Sequence, residues 1–176
     1  MNRFKPFVVA LLAGLLPFAP LFLNTYQVDV LNSIGLYALL ALSLNLILGE
    51  AGLFNMGHAA FYAMGAYTAA ILNTRYQIPI LWTLPLSGLV AGLFALAVAR
   101  PVVHLRGDYL LIVTIGVGEI VRIALVNDVF GITGGANGIF GISRPRLFGW
   151  VIRRPEEFLY LIWGFVALTI FLFLRL

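Results

Sequence analysis

Long apolar runs punctuated by single charges dominate the chain. Lys5 and Asp29 enclose 23 uncharged residues, Asp29 and Glu50 enclose 20, and the gaps from Glu50 to Arg75 and from Arg75 to Arg100 hold 24 each. The gap from Asp108 to Glu119 holds only 10, and that from Glu157 to Arg175 holds 17. A helix crosses the hydrocarbon core of a bilayer with about 20 mostly apolar residues. The gaps therefore predict spans at Phe7–Leu23, Val30–Leu48, about Met56–Leu72 and Ile80–Ala99. Phe158–Leu174 is just long enough, and Tyr109–Val126 spans only by taking Glu119 and Arg122 into the membrane. No run shows the alternation of a barrel strand, so each is read as helix.

The expected fold is an all-α integral membrane protein, a polytopic helical bundle of about six transmembrane segments, one of them broken or re-entrant. Residues 1–176 form a single transmembrane domain. Arg3 and Lys5 before the first apolar run also fit a signal peptide. No small-x-small cleavage site follows, however, and Pro17 and Pro20 sit where cleavage would fall, so the segment is read as a retained anchor. One connection is long. Asn127–Glu157 carries Gly131, Gly134, Gly135, Gly138 and Gly141, a composition that forms turns.

Composition then narrows the class. The 11 basic and 7 acidic residues make 10% of the chain, against about 25% in a soluble domain. With 62% hydrophobic residues there is too little charge for a water-facing surface. A soluble enzyme, a disordered chain and a nucleic-acid binder are excluded. The absence of cysteine removes disulfides and thiolate metal sites. Orientation stays open: with six crossings and an inner N-terminus, Arg3, Lys5, Arg100, Arg106 and Arg175 balance Arg75, Arg144, Arg146, Arg153 and Arg154.

Candidate chemistry gathers between the second and third spans, where Gly49, Gly52 and Gly57 interrupt apolar sequence and Asn45, Asn55 and His58 supply polar groups. Broken backbone at membrane depth survives only where protein buries it or a wet cavity adjoins it. A helix restarting near Asn55–His58 would point N–H groups and a positive dipole end at that cavity, which suits a carboxylate. The plainer alternative is an interfacial loop with Asn55 capping the next helix. Glu119 and Arg122, one helical turn apart, are expected as a mutually neutralised buried pair, with Thr114, Gly116 and Gly118 softening the helix before them. Ala59, Ala63, Ala66 and Ala70 on one helix, and Gly88 and Gly92 on the next, are read as helix-packing stripes, within the chain or against a partner. His58 and His104 lack partners at metal-ligand spacing, so no metal site is expected. No nucleophile motif appears, and the lone Lys5 follows no glycine, so no phosphate loop is present. Any ATP hydrolysis would belong to another subunit, and no cofactor is expected on this chain.

Three stretches resemble a known family. ALSLNLILGEAGLFNMGHAAFYAMGAYTAAIL (Ala41–Leu72) is similar to the permease subunits of branched-chain amino acid ABC importers, and LRGDYLLIVTIGVGEIVR (Leu105–Arg122) and TGGANGIFGISRP (Thr133–Pro145) resemble their second and third signatures. Together they cover roughly Ile34 to Leu176, in an order closer to the LivM type than to its LivH partner. The resemblance implies a multi-pass bacterial inner-membrane subunit that pairs with a LivH-type permease, two cytoplasmic ATPase subunits and a periplasmic or extracellular substrate-binding protein. It also implies that the Gly-rich loop faces outward. Gly134, Gly135, Asn137 and Gly138 would then help to receive the binding protein, while Asn45, Asn55, His58 and Thr114 line or gate the solute path. The family's cytoplasmic coupling segment lies beyond the position of Leu176, so the chain reads as truncated before it. Asp108 and Glu50 depart from the usual pattern and leave selectivity open. Rival readings are a proton-coupled carrier using Glu119, a permease for urea or short amides, and a non-transporting membrane scaffold.

Overall fold

The computed structural model describes residues 23–50, 52–53, 55–102, 104–105, 107–147, 150–173 and 175. Five long helices follow in order: α1 (Thr25–Gly49), α2 (His58–Tyr76), α3 (Ile80–Val102), α4 (Asp108–Val126) and α5 (Pro155–Phe173). A single 3-10 turn at Gly135–Asn137 and a two-residue antiparallel hairpin, β1 (Arg146–Leu147) with β2 (Trp150–Val151), lie between α4 and α5. Among the described residues α1, α3, α4 and α5 are long and apolar enough to cross a membrane. The more polar α2, expected as a span, is not one of those four. Asp108–Val126 is one continuous helix of 19 residues, about 28 Å long, so the break lies elsewhere. The expected first span, Phe7–Leu23, lies outside the described residues apart from Leu23.

The chain divides into two compact units. One comprises residues 44–151 and the other, among described residues, 23–43 and 152–175. In the second unit α1 and α5 meet at Gly35, where a Cβ would stand 2.6 Å from Ile162 Cγ2, so only glycine lets these helices approach. Asn32 Nδ2 donates to the Pro155 carbonyl at 3.0 Å. Glu157 reaches back to accept from the N–H groups of Arg153 and Arg154 at 2.6 and 3.2 Å, satisfying donors that open α5. Val28, Leu159, Ile162 and Val166 form its apolar interior.

The 44–151 unit is built on another principle. Its buried side chains include Asn73, Thr83, Ser87, Thr114 and Thr133, while leucines such as Leu89, Leu93 and Leu96 face outward. Lipid is as apolar as leucine, so helices associate there through close backbone packing and small polar groups. The α2–α3 seam shows this: a Cβ on Gly65 would lie 3.7 Å from Ala91 Cβ and 3.9 Å from the Ser87 carbonyl. Thr83 and Ser87 hydroxyls donate to the carbonyls of Ile80 and Leu84 at 2.7 and 2.9 Å, which satisfies both groups in the turns that flank Pro85.

The α2–α3 seam uses the expected packing stripes only in part. Ala70 is buried and Ala63 half-buried, but Ala59 and Ala66 are exposed. Gly88 and Gly92 are exposed too, with open space where their Cβ atoms would stand. The small residues that hold α2 to α3 are Gly65, Ser87 and Ala91, offset from the stripe that spacing alone favoured.

Candidate functional site: a helix break against α4

After Gly49 the chain leaves the helix. Gly52 adopts φ +63°, a conformation open to glycine, and Leu53 N–H returns to the Ile47 carbonyl at 3.3 Å to close a wide turn. Asn55 Oδ1 then accepts the Gly57 N–H at 2.9 Å, an Asx turn that aims the backbone into α2. Gly57, not Asn55, is the N-cap residue, and no side chain caps the helix. The expected capping role of Asn55 is replaced by this turn one step earlier.

The non-helical stretch packs against α4 at its middle. Met56 N–H donates to Thr114 Oγ1 at 3.2 Å, and the Thr114 hydroxyl donates to the Leu111 carbonyl at 3.0 Å. A Cβ on Gly57 would run into the Thr114 carbonyl oxygen, and a Cβ on Gly118 would stand 3.4 Å from Gly57 Cα. Thr114 and Gly118 are the seventh and eleventh of the 19 residues of α4. They sit about 9 and 15 Å along a helix of about 28 Å. The broken backbone therefore crosses α4 at mid-length, the depth at which exposed N–H groups cannot be left to lipid.

Beside this crossing lies a cavity of about 80 Å³. Leu53, Phe61, Val98, Val102 and Leu110 form its wall together with Asn55 and Thr114, and the surface presented to it is almost wholly apolar. Of the four residues expected on the path, Asn55 and Thr114 come together here. His58, half-buried at the start of α2, stacks edge-on to Phe61 with ring centroids 6.3 Å apart, and Phe61 continues to Phe94 at 5.8 Å. Asn45 is exposed near the end of α1 and is not part of the cavity wall.

The expected ion pair forms, but this chain does not bury it. Arg122 Nε and Nη2 reach the two Glu119 carboxylate oxygens at 2.8 and 2.6 Å, with side chains 63% and 49% exposed. The fork-to-fork geometry satisfies both charges without help from another element.

The Gly-rich loop is tied down more firmly than its composition implied. Gly134, with φ +73°, turns so tightly that a Cβ there would strike the Gly138 carbonyl, and Gly138 N–H donates to the Gly135 carbonyl at 3.1 Å. Asn137 closes the 3-10 turn between them. Thr133 N–H donates to Asp128 Oδ1 at 2.7 Å, and the Thr133 hydroxyl lies 2.8 Å from the Leu125 carbonyl, which finishes α4. These contacts hold the Asp128 carboxyl below the usual aspartate value: first the Thr133 N–H, then its hydroxyl. Arg75 Nη2 donates to the Gly131 carbonyl at 2.7 Å. Buried Asn73 accepts the Ser143 N–H at 2.7 Å and donates to Ser143 Oγ and the Ile78 carbonyl at 2.6 and 2.8 Å. Sequence reasoning passed over Asn73, Arg75, Asp128, Thr133 and Ser143. The one available signal was an asparagine inside an apolar helix, which needs a partner.

The family model described as "Branched-chain amino acid transport system / permease component" matches residues 26–176. The chain is 46% identical over 153 residues to the high-affinity branched-chain amino acid transport system permease protein LivM of Salmonella typhimurium (strain LT2), and to the protein of the same name from Escherichia coli (strain K12). Each alignment covers 87% of this chain but 36% of the relative, so the chain spans about a third of the length of the curated relatives it matches. No solved structure matches.

Proposed function

Because the chain belongs to the family of branched-chain amino acid transport permease components, we propose that it forms part of the membrane path of an ATP-driven importer for branched-chain or related amino acids. The carrying observation is the non-helical stretch around Asn55–Gly57 lying against Thr114 and Gly118 at the middle of α4. An amino acid brings a carboxylate, and an α2 start without a side-chain cap, at membrane depth, offers backbone N–H groups and a positive dipole end to receive it. Asn55 and Thr114 contact or gate the solute, and His58 supports them through Phe61.

The chain lies in a bacterial inner membrane and works with a LivH-type second permease and two cytoplasmic ATPase subunits, since it carries no phosphate loop of its own. A substrate-binding protein delivers solute to the side bearing Gly134–Gly138. The pinning of that loop by Asn73, Arg75 and Thr133 supports a rigid docking platform rather than a mobile strand of chain. A proton-coupled carrier is not favoured: Glu119 is held in a bidentate ion pair, and the relatives are permease proteins of a transport system.

The test is accumulation of leucine in vesicles holding the whole-length protein with its partner subunits. Uptake is expected to require ATP, to survive collapse of the proton gradient, and to persist in Glu119→Gln. Uptake driven by a proton gradient without ATP, and abolished by Glu119→Gln, would contradict the proposal.

A further inference from the structure

The cavity beside the break has a size and a lining that the solute path as such does not require. It holds about 80 Å³ between the 50–57 stretch, the last turns of α3 and the first two turns of α4. A dry cavity of about 150 Å³ accepts benzene, roughly 25 Å³ per carbon, so about 80 Å³ takes three to four carbons. The wall offers branched and aromatic surface from Leu53, Phe61, Val98, Val102 and Leu110 and almost no polar surface, since the Asn55 amide oxygen and the Thr114 hydroxyl are engaged with backbone groups. Val102 and Leu110 are buried, so this wall is held by packing, and the Met56-to-Thr114 hydrogen bond ties the break to it. Such a site accepts a short branched hydrocarbon.

We propose that this cavity receives the aliphatic side chain of the transported amino acid, so that Val98 and Leu110 set the upper size of the solute while its carboxylate and ammonium stay outside the cavity. The inference rests on the reading of the chain as an importer permease and adds a selectivity pocket to it. Isopropyl, sec-butyl and isobutyl groups fill the space, a methyl group leaves it largely empty, and a benzyl group exceeds it. Two to three more buried carbons favour leucine over alanine by on the order of 30-fold. Preference then arises in the membrane subunit as well as at delivery.

The experiment compares uptake of leucine, alanine and phenylalanine by the assembled importer in vesicles, with the binding protein saturated by each solute. Ratios between solutes within one preparation do not depend on how much protein has folded. Val98→Phe fills the cavity and is expected to reduce the leucine-to-alanine ratio at least about 10-fold. Val98→Ile, a single added methylene, keeps the core intact and lowers it about 4-fold. Leu110→Ala enlarges the space and raises the phenylalanine-to-leucine ratio at least about 10-fold. Ratios within about 2-fold of wild type in all three variants, or equal loss of every solute, would overturn the pocket while leaving the importer reading intact. A wild-type importer that carries no apolar amino acid would overturn both.

Discussion

Two stretches of α4 treat polarity in opposite ways. On one, Thr114 and Gly118 are pressed against the helix break, and a single hydroxyl serves both the Met56 N–H and its own helix. On the other, Glu119 and Arg122 carry full charges that close on each other and need nothing else from this chain. The stretch at the break uses uncharged groups that would be costly to leave alone, and the exposed pair beyond it uses charged groups that are already satisfied. Sensitivity to mutation should therefore follow packing at the break and not formal charge.

The sharpest way to break that contrast is to add one methyl where the break fills the space and one where the space is open. Gly57→Ala drives a Cβ into the Thr114 carbonyl, a backbone atom with no rotamer to escape through. It should cost at least about 2 kcal/mol in equilibrium unfolding from mixed micelles. Gly116→Ala meets open space on the outward side of the same helix and should stabilise by about 0.5 kcal/mol, because alanine suits a helix interior better. Next in size is Thr114→Val, which keeps shape but strands the Met56 N–H, with an expected loss of about 1–2 kcal/mol in the same assay.

A third effect appears only with pH. The folded Asp128 carboxyl lies below its ordinary value because it accepts the Thr133 N–H and hydroxyl. The lower value belongs to the folded state, so this contribution is complete above the ordinary value and lost as pH falls through the folded one. Hydrogen exchange at the Thr133 N–H, corrected for intrinsic rate, should therefore accelerate below about pH 4, and Asp128→Asn should abolish that dependence. The smallest effect is predicted where the charges are greatest. Glu119→Gln should leave the melting temperature in detergent within experimental error, since exposed ion pairs contribute little.

Much of the fold was legible because lipid imposes a simple rule. Gaps between charges marked Ile80–Val102 and Pro155–Phe173 to within three residues at each end, since a charge can leave the hydrocarbon only at a span's edge. The break was legible too, because Gly49, Gly52 and Gly57 serve no purpose in a straight apolar helix. Its exact joinery was not. Which glycine meets a neighbouring backbone depends on rotation between helices, and the 3.6-residue period does not set this. Gly88 and Gly92 thus face away from the α2–α3 seam, which Gly65 carries. Asn45 shared the run of polar residues near the break but is exposed and does not line the cavity. The Asn73–Ser143 clasp spans 70 residues, a separation at which no local pattern exists.

The central claim is that the Asn55–Gly57 stretch lies at membrane depth and faces the solute path. The chain contains no cysteine, so single introduced thiols can be followed without background. In vesicles holding the assembled importer, Asn55→Cys should react with a charged, membrane-impermeant thiol reagent and be protected by excess leucine, while Gly88→Cys on the outward face of α3 stays unlabelled. Equal inertness of the two positions, or labelling of Asn55→Cys that leucine does not slow, would contradict the account.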